Sequence, residues 1–267
     1  MLEFSNKRSL DEVPLLPLFT ILLEMEVVLL ILSASVNTLL AVKMWRTSLV
    51  HANLKVVYFT HLMEYYTFFC AQLILMCYQV GWIWIGYDTT DDLLLIVCSL
   101  AKMQRMWSAC LIVVASVVER TIATLRVDRY EQSKPKVIGF VVAVGKCALS
   151  VYLAYLILFT KLTYWTATFM VVIILGVSLA WLTFLEHKNR KRLTAVEVLQ
   201  RTRAYSLSKR YQLQENERVF KVIRSFVYII VTNIFISLLF LNIATKLIPH
   251  WSIQPYVVLF MEYLLVG

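Results

Sequence analysis

The chain has 267 residues, of which 60% are hydrophobic and 16% charged, whereas an average soluble domain is about 45–50% apolar and about 25% charged. One core of this size cannot bury so many apolar side chains, so the composition excludes a water-soluble globule and requires lipid as part of the solvent. The net charge of +9 does not indicate nucleic-acid binding, because the basic residues interrupt hydrophobic segments instead of forming a soluble basic face.

Seven apolar blocks approach or meet the roughly 20 residues that a helix needs to cross the hydrocarbon layer. They predict an all-α membrane protein, a bundle of seven transmembrane helices in a single domain, 1–267. The predicted spans are 15–42, 54–80, 93–118, 137–160, 163–185, 222–246 and 252–267. The first carries Glu24 and Glu26 and is too long for a cleaved signal peptide, so we expect it to be retained. The last measures roughly 25 Å as a helix, so we expect the seventh helix to be short or truncated.

The distribution of Lys and Arg predicts that the amino terminus lies outside. With that orientation most basic residues fall in the inner connections, above all between Lys188 and Arg224, as the positive-inside rule requires. The connection after the second span is acidic and is expected on the outer side; it contains Asp88, Asp91 and Asp92.

Charged side chains within the bilayer are costly, so each is a candidate functional residue. Lys102 and Arg105 share one face of the third span near mid-membrane, and Glu64 on the antiparallel second span reaches about the same depth. We therefore expect an ion pair between Glu64 and Arg105. Either this pair only fixes helix packing, or Lys102 or Arg105 meets an anionic or polar ligand. No role is assigned to Lys146.

Two further residues complete the candidate ligand pocket. Trp107 is the tryptophan left at depth, where it either packs between helices or contacts a ligand. Glu262 lies mid-span if the seventh helix starts near Trp251. The pocket candidates are thus Glu64, Lys102, Arg105, Trp107 and Glu262.

A candidate switch lies at the inner end of the third span. Glu119 can hold the Arg120 guanidinium in an ion pair when the bundle is closed and release it when the inner ends open. Alternatively, the two residues only mark the membrane border. The long inner loop either forms a helix that projects below the bilayer as a docking surface or stays a solvated basic loop. Glu215 and Glu217 in this loop are possible acidic partners for Arg120.

Cysteine and histidine usage argues against disulfide, metal and enzyme chemistry. The five cysteines lie inside apolar blocks, so free thiols are expected. The four histidines are too scattered for a zinc cluster, and no set of nucleophile, base and orienting group emerges. We expect a protein that is not an enzyme and has no cofactor.

Two motifs resemble those of nematode chemoreceptors of the serpentine receptor class epsilon. One is 119–124, Glu-Arg-Thr-Ile-Ala-Thr, followed by Tyr-Glu at 130–131; the other is 205–212, Tyr-Ser-Leu-Ser-Lys-Arg-Tyr-Gln, followed by Glu-Asn at 215–216. The resemblance implies a G-protein-coupled receptor in the plasma membrane of sensory neurons. Its partners would be an environmental small molecule, a heterotrimeric G protein and the lipid bilayer, with no nucleic acid.

Two alternatives remain open at this point. Charges at mid-membrane also mark the ion paths of transporters and channels, although no duplicated halves or broken helix pairs are visible. A truncated receptor product that does not signal would share the same sequence pattern.

Overall fold

The computed structural model describes residues 16–46, 52–83, 92–125, 137–160 and 164–200, together with parts of 213–236. Five helices lie in these ranges: α1 (Leu16–Arg46), α2 (Ala52–Val80), α3 (Leu93–Leu125), α4 (Val137–Phe159) and α5 (Tyr164–Gln200). The described positions between 213 and 236 are also helical, and we call them the sixth segment. None of the described residues forms a strand, so this part of the chain is all-α as predicted.

Two of the five helices have limits close to the predicted spans, and three extend past them. The limits of α2 and α4 lie close to the predicted 54–80 and 137–160. The other three helices extend past their apolar blocks, and α5 continues to Gln200. A hydrophobic block reports the membrane crossing, whereas backbone hydrogen bonds continue through polar helix formers. The predicted seventh span lies outside the described residues.

Four of the described helices, α1, α3, α4 and α5, are long and apolar enough to cross a membrane. Their outward faces carry large apolar side chains, such as Leu39 at 70% and Phe169 at 65% exposure. Surfaces of this kind are stable against lipid. The remaining helix, α2, is not in this group because polar residues interrupt it, and Asn53, Gln72 and Gln79 are buried inside the bundle.

The central helix of the bundle is α3, which packs against α2, α4 and α5, while α1 packs against α2. A buried apolar cluster joins α2, α3, α5 and the sixth segment, and it includes Val57, Ile112, Leu185 and Phe220. Within lipid, such contacts stabilise the bundle chiefly through van der Waals packing.

The two acidic residues of α1 have different surroundings. Glu26 is fully buried, and its Oε1 accepts a 2.7 Å hydrogen bond from Gln72 Nε2 on α2, whereas Glu24 is exposed. Residues two apart on a helix differ by about 200° in direction, which accounts for the contrast. Glu26 thus joins α1 to α2 through a buried polar contact.

The end of α2 and the start of α3 are each marked by a residue that suits a helix terminus. Gly81 follows the last residue of α2 with a φ of 83°, a backbone conformation that glycine adopts without steric cost. Asp92 precedes α3, and its Oδ1 accepts hydrogen bonds from the Leu95 backbone N–H (3.1 Å) and the Tyr78 hydroxyl (2.9 Å). Asp92 is therefore the N-cap of α3 and links it to the end of α2.

A close contact between α2 and α4 requires glycine at position 139. The Gly139 N–H, one of the first N–H groups of α4 without a helical acceptor, donates to Asn53 Oδ1 at 3.1 Å. A Cβ at Gly139 would lie 2.7 Å from Asn53 Cα and would overlap the Asn53 carbonyl. We expect Gly139→Ala to lower the free energy of unfolding by about 1–3 kcal/mol, the usual cost of overpacking.

Chemical unfolding of the purified protein in detergent micelles measures this change. Gly145→Ala is the matched control, because a Cβ at Gly145 on the same helix meets nothing within 4 Å. Equal stability of the two variants would show that the contact between α2 and α4 is looser than described.

Candidate functional site

Five polar side chains from three helices meet inside the bundle and form what we call the central polar cluster. α2 contributes His61 and Glu64, α3 contributes Arg105 and Ser108, and α4 contributes Lys146. On both α2 and α3 the two residues are three apart, so they lie on one face of their helix.

Glu64 pairs with Lys146. Lys146 Nζ lies 2.7 Å from Glu64 Oε2 and 2.9 Å from Ser108 Oγ, and the Ser108 hydroxyl donates to the same carboxylate oxygen. The Lys146 side chain is 1% exposed and that of Glu64 is 11% exposed. The predicted ion pair between Glu64 and Arg105 is therefore wrong. The partner of Glu64 is Lys146, to which the sequence analysis assigned no role.

Arg105 contacts His61 instead. Its Nη1 lies 3.0 Å from His61 Nε2 and 3.2 Å from the His61 carbonyl oxygen, and the guanidinium carbon is 5.5 Å from the centre of the Tyr65 ring. A guanidinium can only donate hydrogen bonds, so the imidazole of His61 must be neutral to accept one. The Tyr65 ring adds a cation–π contact.

The central polar cluster therefore holds more positive than negative charge. Arg105 and Lys146 are cations and Glu64 is the one carboxylate among them, so the cluster has a net charge of +1 with neutral His61. In addition, Glu64 Oε1 is buried without a hydrogen-bond partner among the described residues. Such a site can offer both donors and an acceptor to a polar molecule. Lys102 is partly buried one turn before Arg105.

Trp107 lies in an apolar environment. It is 3% exposed and belongs to a hydrophobic cluster with residues of α3, α4 and α5, including Leu111, Leu153 and Ala167. This surrounding favours packing between helices, the first of the two interpretations of Trp107. Glu262, the other additional pocket candidate, lies outside the described residues.

A second polar site lies near the end of α3, and we call it the Arg120 site. Arg120 Nε and Nη2 donate to the two carboxylate oxygens of the adjacent Glu119, at 2.5 and 2.7 Å. The exposure of Arg120 is 1% and that of Glu119 is 0%. The ion pair predicted for the closed bundle is thus present. A bidentate pair of this kind is among the stronger polar interactions in proteins.

Asn216 of the sixth segment is the third member of the Arg120 site. Its Oδ1 accepts a 3.0 Å hydrogen bond from Arg120 Nη1. Glu217 does not serve as the acidic partner of Arg120; its carboxylate faces Lys221 Nζ at 3.4 Å and Arg190 Nε at 3.9 Å. Consecutive helical residues point about 100° apart, so Asn216 and Glu217 face different neighbours. Glu215 lies outside the described residues.

Further polar contacts connect α5 with the sixth segment beside the Arg120 site. Asn189 Nδ2 donates to the Leu213 carbonyl oxygen at 2.9 Å, and Arg224 Nη1 lies 3.1 Å from Glu186 Oε2. Neither contact is signalled by the sequence, because each joins residues far apart in the chain. The two elements are thus held together where they approach α3.

The described residues contain no group of three His, Cys, Asp or Glu side chains that could hold a metal ion. All five cysteines lie in the described helices and are free thiols, as their apolar surroundings predict.

Comparisons with known proteins identify the family. The model of the family described as "Sre G protein-coupled chemoreceptor" matches residues 10–266, nearly the whole chain. "Serpentine receptor class epsilon-1" of Caenorhabditis elegans is 28% identical over 202 residues, 72% of this chain and 55% of that protein. "Serpentine receptor class epsilon-45" of the same organism is 26% identical over 138 residues, 49% of this chain and 37% of that protein. The chain therefore matches about half, or less, of each relative's length.

The family consists of seven-helix membrane receptors and not of enzymes, which agrees with the apolar helices described above. The match to the family model extends over the chain from α1 to the predicted seventh span. This multi-pass membrane protein belongs to the Sre family of G protein-coupled chemoreceptors.

Proposed function

We propose that this chain is a chemosensory receptor that binds an environmental small molecule between its helices and activates a heterotrimeric G protein. The observation that carries the proposal is the Arg120 site. A fully buried arginine on α3 is bound there by its neighbour Glu119 and by Asn216 of the sixth segment.

The Arg120 site has the properties of a two-state contact. Movement of the sixth segment away from α3 would remove the hydrogen bond to Asn216 and expose a charged guanidinium to a partner protein. Ligand binding shifts such an equilibrium only by as much as it favours the open state. Glu119 would remain bound to Arg120 in the closed state and compete with the partner in the open state.

We place the Arg120 site on the inner side of the plasma membrane of sensory neurons. Beyond the apolar part of α5 the helix carries Lys188, Arg190, Lys191 and Arg192, and such clusters lie mostly on the cytoplasmic side. The amino terminus would then be outside.

The central polar cluster is the proposed ligand site. Arg105 and Arg120 are 15 residues apart on α3, about 22 Å along the helix axis. This places the cluster deep in the membrane and the Arg120 site near its border. Glu64, Lys102 and Arg105 remain its candidate contacts, while Trp107 would act through packing.

A guanine-nucleotide exchange assay tests the proposed function. Membranes from cells that express the full chain and a G protein are exposed to a panel of volatile odorants and water-soluble compounds. We expect at least one compound to accelerate nucleotide exchange compared with membranes that lack the chain. Calcium imaging of the same cells gives an independent measurement.

Two outcomes would contradict the proposal. Compound-dependent ion or solute flux in liposomes without a G protein would favour a transporter or channel. Surface labelling that detects the protein at the membrane, with no response to any compound, would favour a receptor product that does not signal.

A further inference from the structure

We infer that the central polar cluster binds a small organic carboxylate and that the carboxylate group pairs with the Arg105 guanidinium. This inference rests on the proposed function, since it names the ligand class of the same site. Three features of the cluster support it: its excess of positive charge, the Arg105 donors that make no hydrogen bond to the described residues, and the buried Oε1 of Glu64.

Arg105 makes no direct ion pair with the described residues, because Glu64, the one carboxylate that attracts it, is bonded to Lys146. Glu64 Oε2 is taken by Lys146 at 2.7 Å and by the Ser108 hydroxyl. The described carboxylates include no ion-pair partner for Arg105, whose hydrogen bonds go to His61. Two cations that share one carboxylate inside the bundle leave an excess of positive charge, so an anionic ligand would be stabilised there.

The geometry of Arg105 specifies the kind of anion. Its contacts to His61 all run through Nη1, and the edge formed by Nε and Nη2 makes no hydrogen bond to the described residues. That edge of a guanidinium binds a carboxylate through two parallel N–H···O hydrogen bonds. The Tyr65 ring, 5.5 Å from the guanidinium carbon, and the His61 contacts restrict the rotation of the side chain.

The buried Oε1 of Glu64 adds a requirement for a donor. Glu64 Oε1 accepts no N–H or O–H hydrogen bond from the described residues, which is unfavourable for a carboxylate oxygen. The Cys147 thiol also interacts with this carboxylate, but a thiol is only a weak hydrogen-bond donor. A hydroxyl or ammonium group on the ligand would satisfy it. The cluster therefore fits a carboxylic acid that carries a hydroxyl or amino group elsewhere in the molecule.

Binding to the purified full chain in lipid nanodiscs tests this inference. The probes are the hydroxy acids lactate, mandelate and salicylate, each compared with its methyl ester, which keeps the hydroxyl and loses the charge. We expect at least one acid to raise the midpoint of thermal unfolding and to bind at least about 30-fold more tightly than its ester. Failure of all three acids to bind, or equal binding of acid and ester, would overturn the inference.

Variants of Arg105 test the assigned contact. Arg105→Gln is expected to weaken acid binding by about 30-fold or more, and Arg105→Lys to restore only part of it, because lysine keeps the charge but lacks the planar fork. Elution of both variants as a single species in size-exclusion chromatography controls for folding. Acid binding that survives in Arg105→Gln overturns the assignment, and the comparison of acid with ester on the unmodified chain stands independently of any variant.

A carboxylate of the chain itself is the competing counter-ion. Glu262 is predicted at mid-span, and Glu262→Gln separates the two possibilities. Acid binding in the unmodified chain that persists in Glu262→Gln supports a ligand anion. Acid binding that appears only in Glu262→Gln would show that the chain supplies the counter-ion, which overturns the inference.

Different results would contradict the inference and the proposed function. Acid binding without acceleration of nucleotide exchange by any compound contradicts the receptor function and leaves the anion site standing. Nucleotide exchange stimulated by neutral odorants, with no binding of the acids, contradicts the anion site and leaves the receptor function standing.

Discussion

Replacement of Lys146 by methionine is expected to lower the free energy of unfolding by about 3 kcal/mol, the lower end of the range for breaking a buried ion pair. Methionine keeps the length and the apolar stem of lysine but leaves the Glu64 carboxylate, 2.7 Å from Nζ in the intact protein, without its ammonium partner. The value lies at the lower end because Ser108 still donates to Glu64 Oε2. Chemical unfolding in detergent micelles measures the loss.

Removal of both charges is expected to be far less harmful. In Glu64→Gln combined with Lys146→Met no unpaired buried charge remains from this pair, so stability should recover most of the loss. Lys191→Met is the control, because Lys191 is exposed and its replacement should change stability by less than about 0.5 kcal/mol. If Lys146→Met is as stable as this control, the buried pair does not contribute to the fold.

Replacement of Arg120 by alanine is expected to abolish G protein activation while ligand binding is retained. The side chain is 1% exposed and makes hydrogen bonds to Glu119 and Asn216, so it is the charged group that an opening of the bundle would release. The central polar cluster is about 22 Å away along α3, so ligand contacts should remain intact. Nucleotide exchange reports coupling, and surface labelling reports expression.

Two companion variants separate signalling from folding. Arg120→Ala leaves the fully buried Glu119 without its guanidinium, so Glu119→Gln combined with Arg120→Ala removes that cost. This double variant should reach the surface and stay inactive. Asn216→Ala removes the contact between the sixth segment and Arg120 without removing a charge, and should raise activity in the absence of ligand. Normal signalling by Arg120→Ala would remove Arg120 from the mechanism.

The five described helices could be predicted because a helix that crosses a membrane needs a long apolar block. The sequence could not predict how far α5 continues, since helix formation by polar residues depends on their contacts. Glu186 and Asn189, for example, are held by Arg224 and the Leu213 carbonyl of the sixth segment. Neither partner lies near them in the sequence.

The sites show the same division between local and distant contacts. The pairing of Glu119 with Arg120 joins neighbours in the chain and could be predicted, whereas Asn216 depends on the rotation of another helix. The pairing of Lys146 with Glu64 could have been predicted from the position of Lys146 along its helix. Lys146 lies about 14 Å along α4 from Val137, close to the roughly 15 Å that separates Glu64 from Leu54 at the start of the predicted second span, so depth matching would have suggested the pair.

The length of α5 has a mechanical consequence. Its 37 residues measure about 55 Å, well beyond the roughly 30 Å hydrocarbon layer. The part after Leu185 extends about 22 Å, so a tilt of about 10° at the membrane border would displace its tip by about 4 Å. Glu186 and Asn189, which contact the sixth segment, lie within about 6 Å of that border, so the same tilt would move these contacts by only about 1 Å while the end of α5 moves farthest.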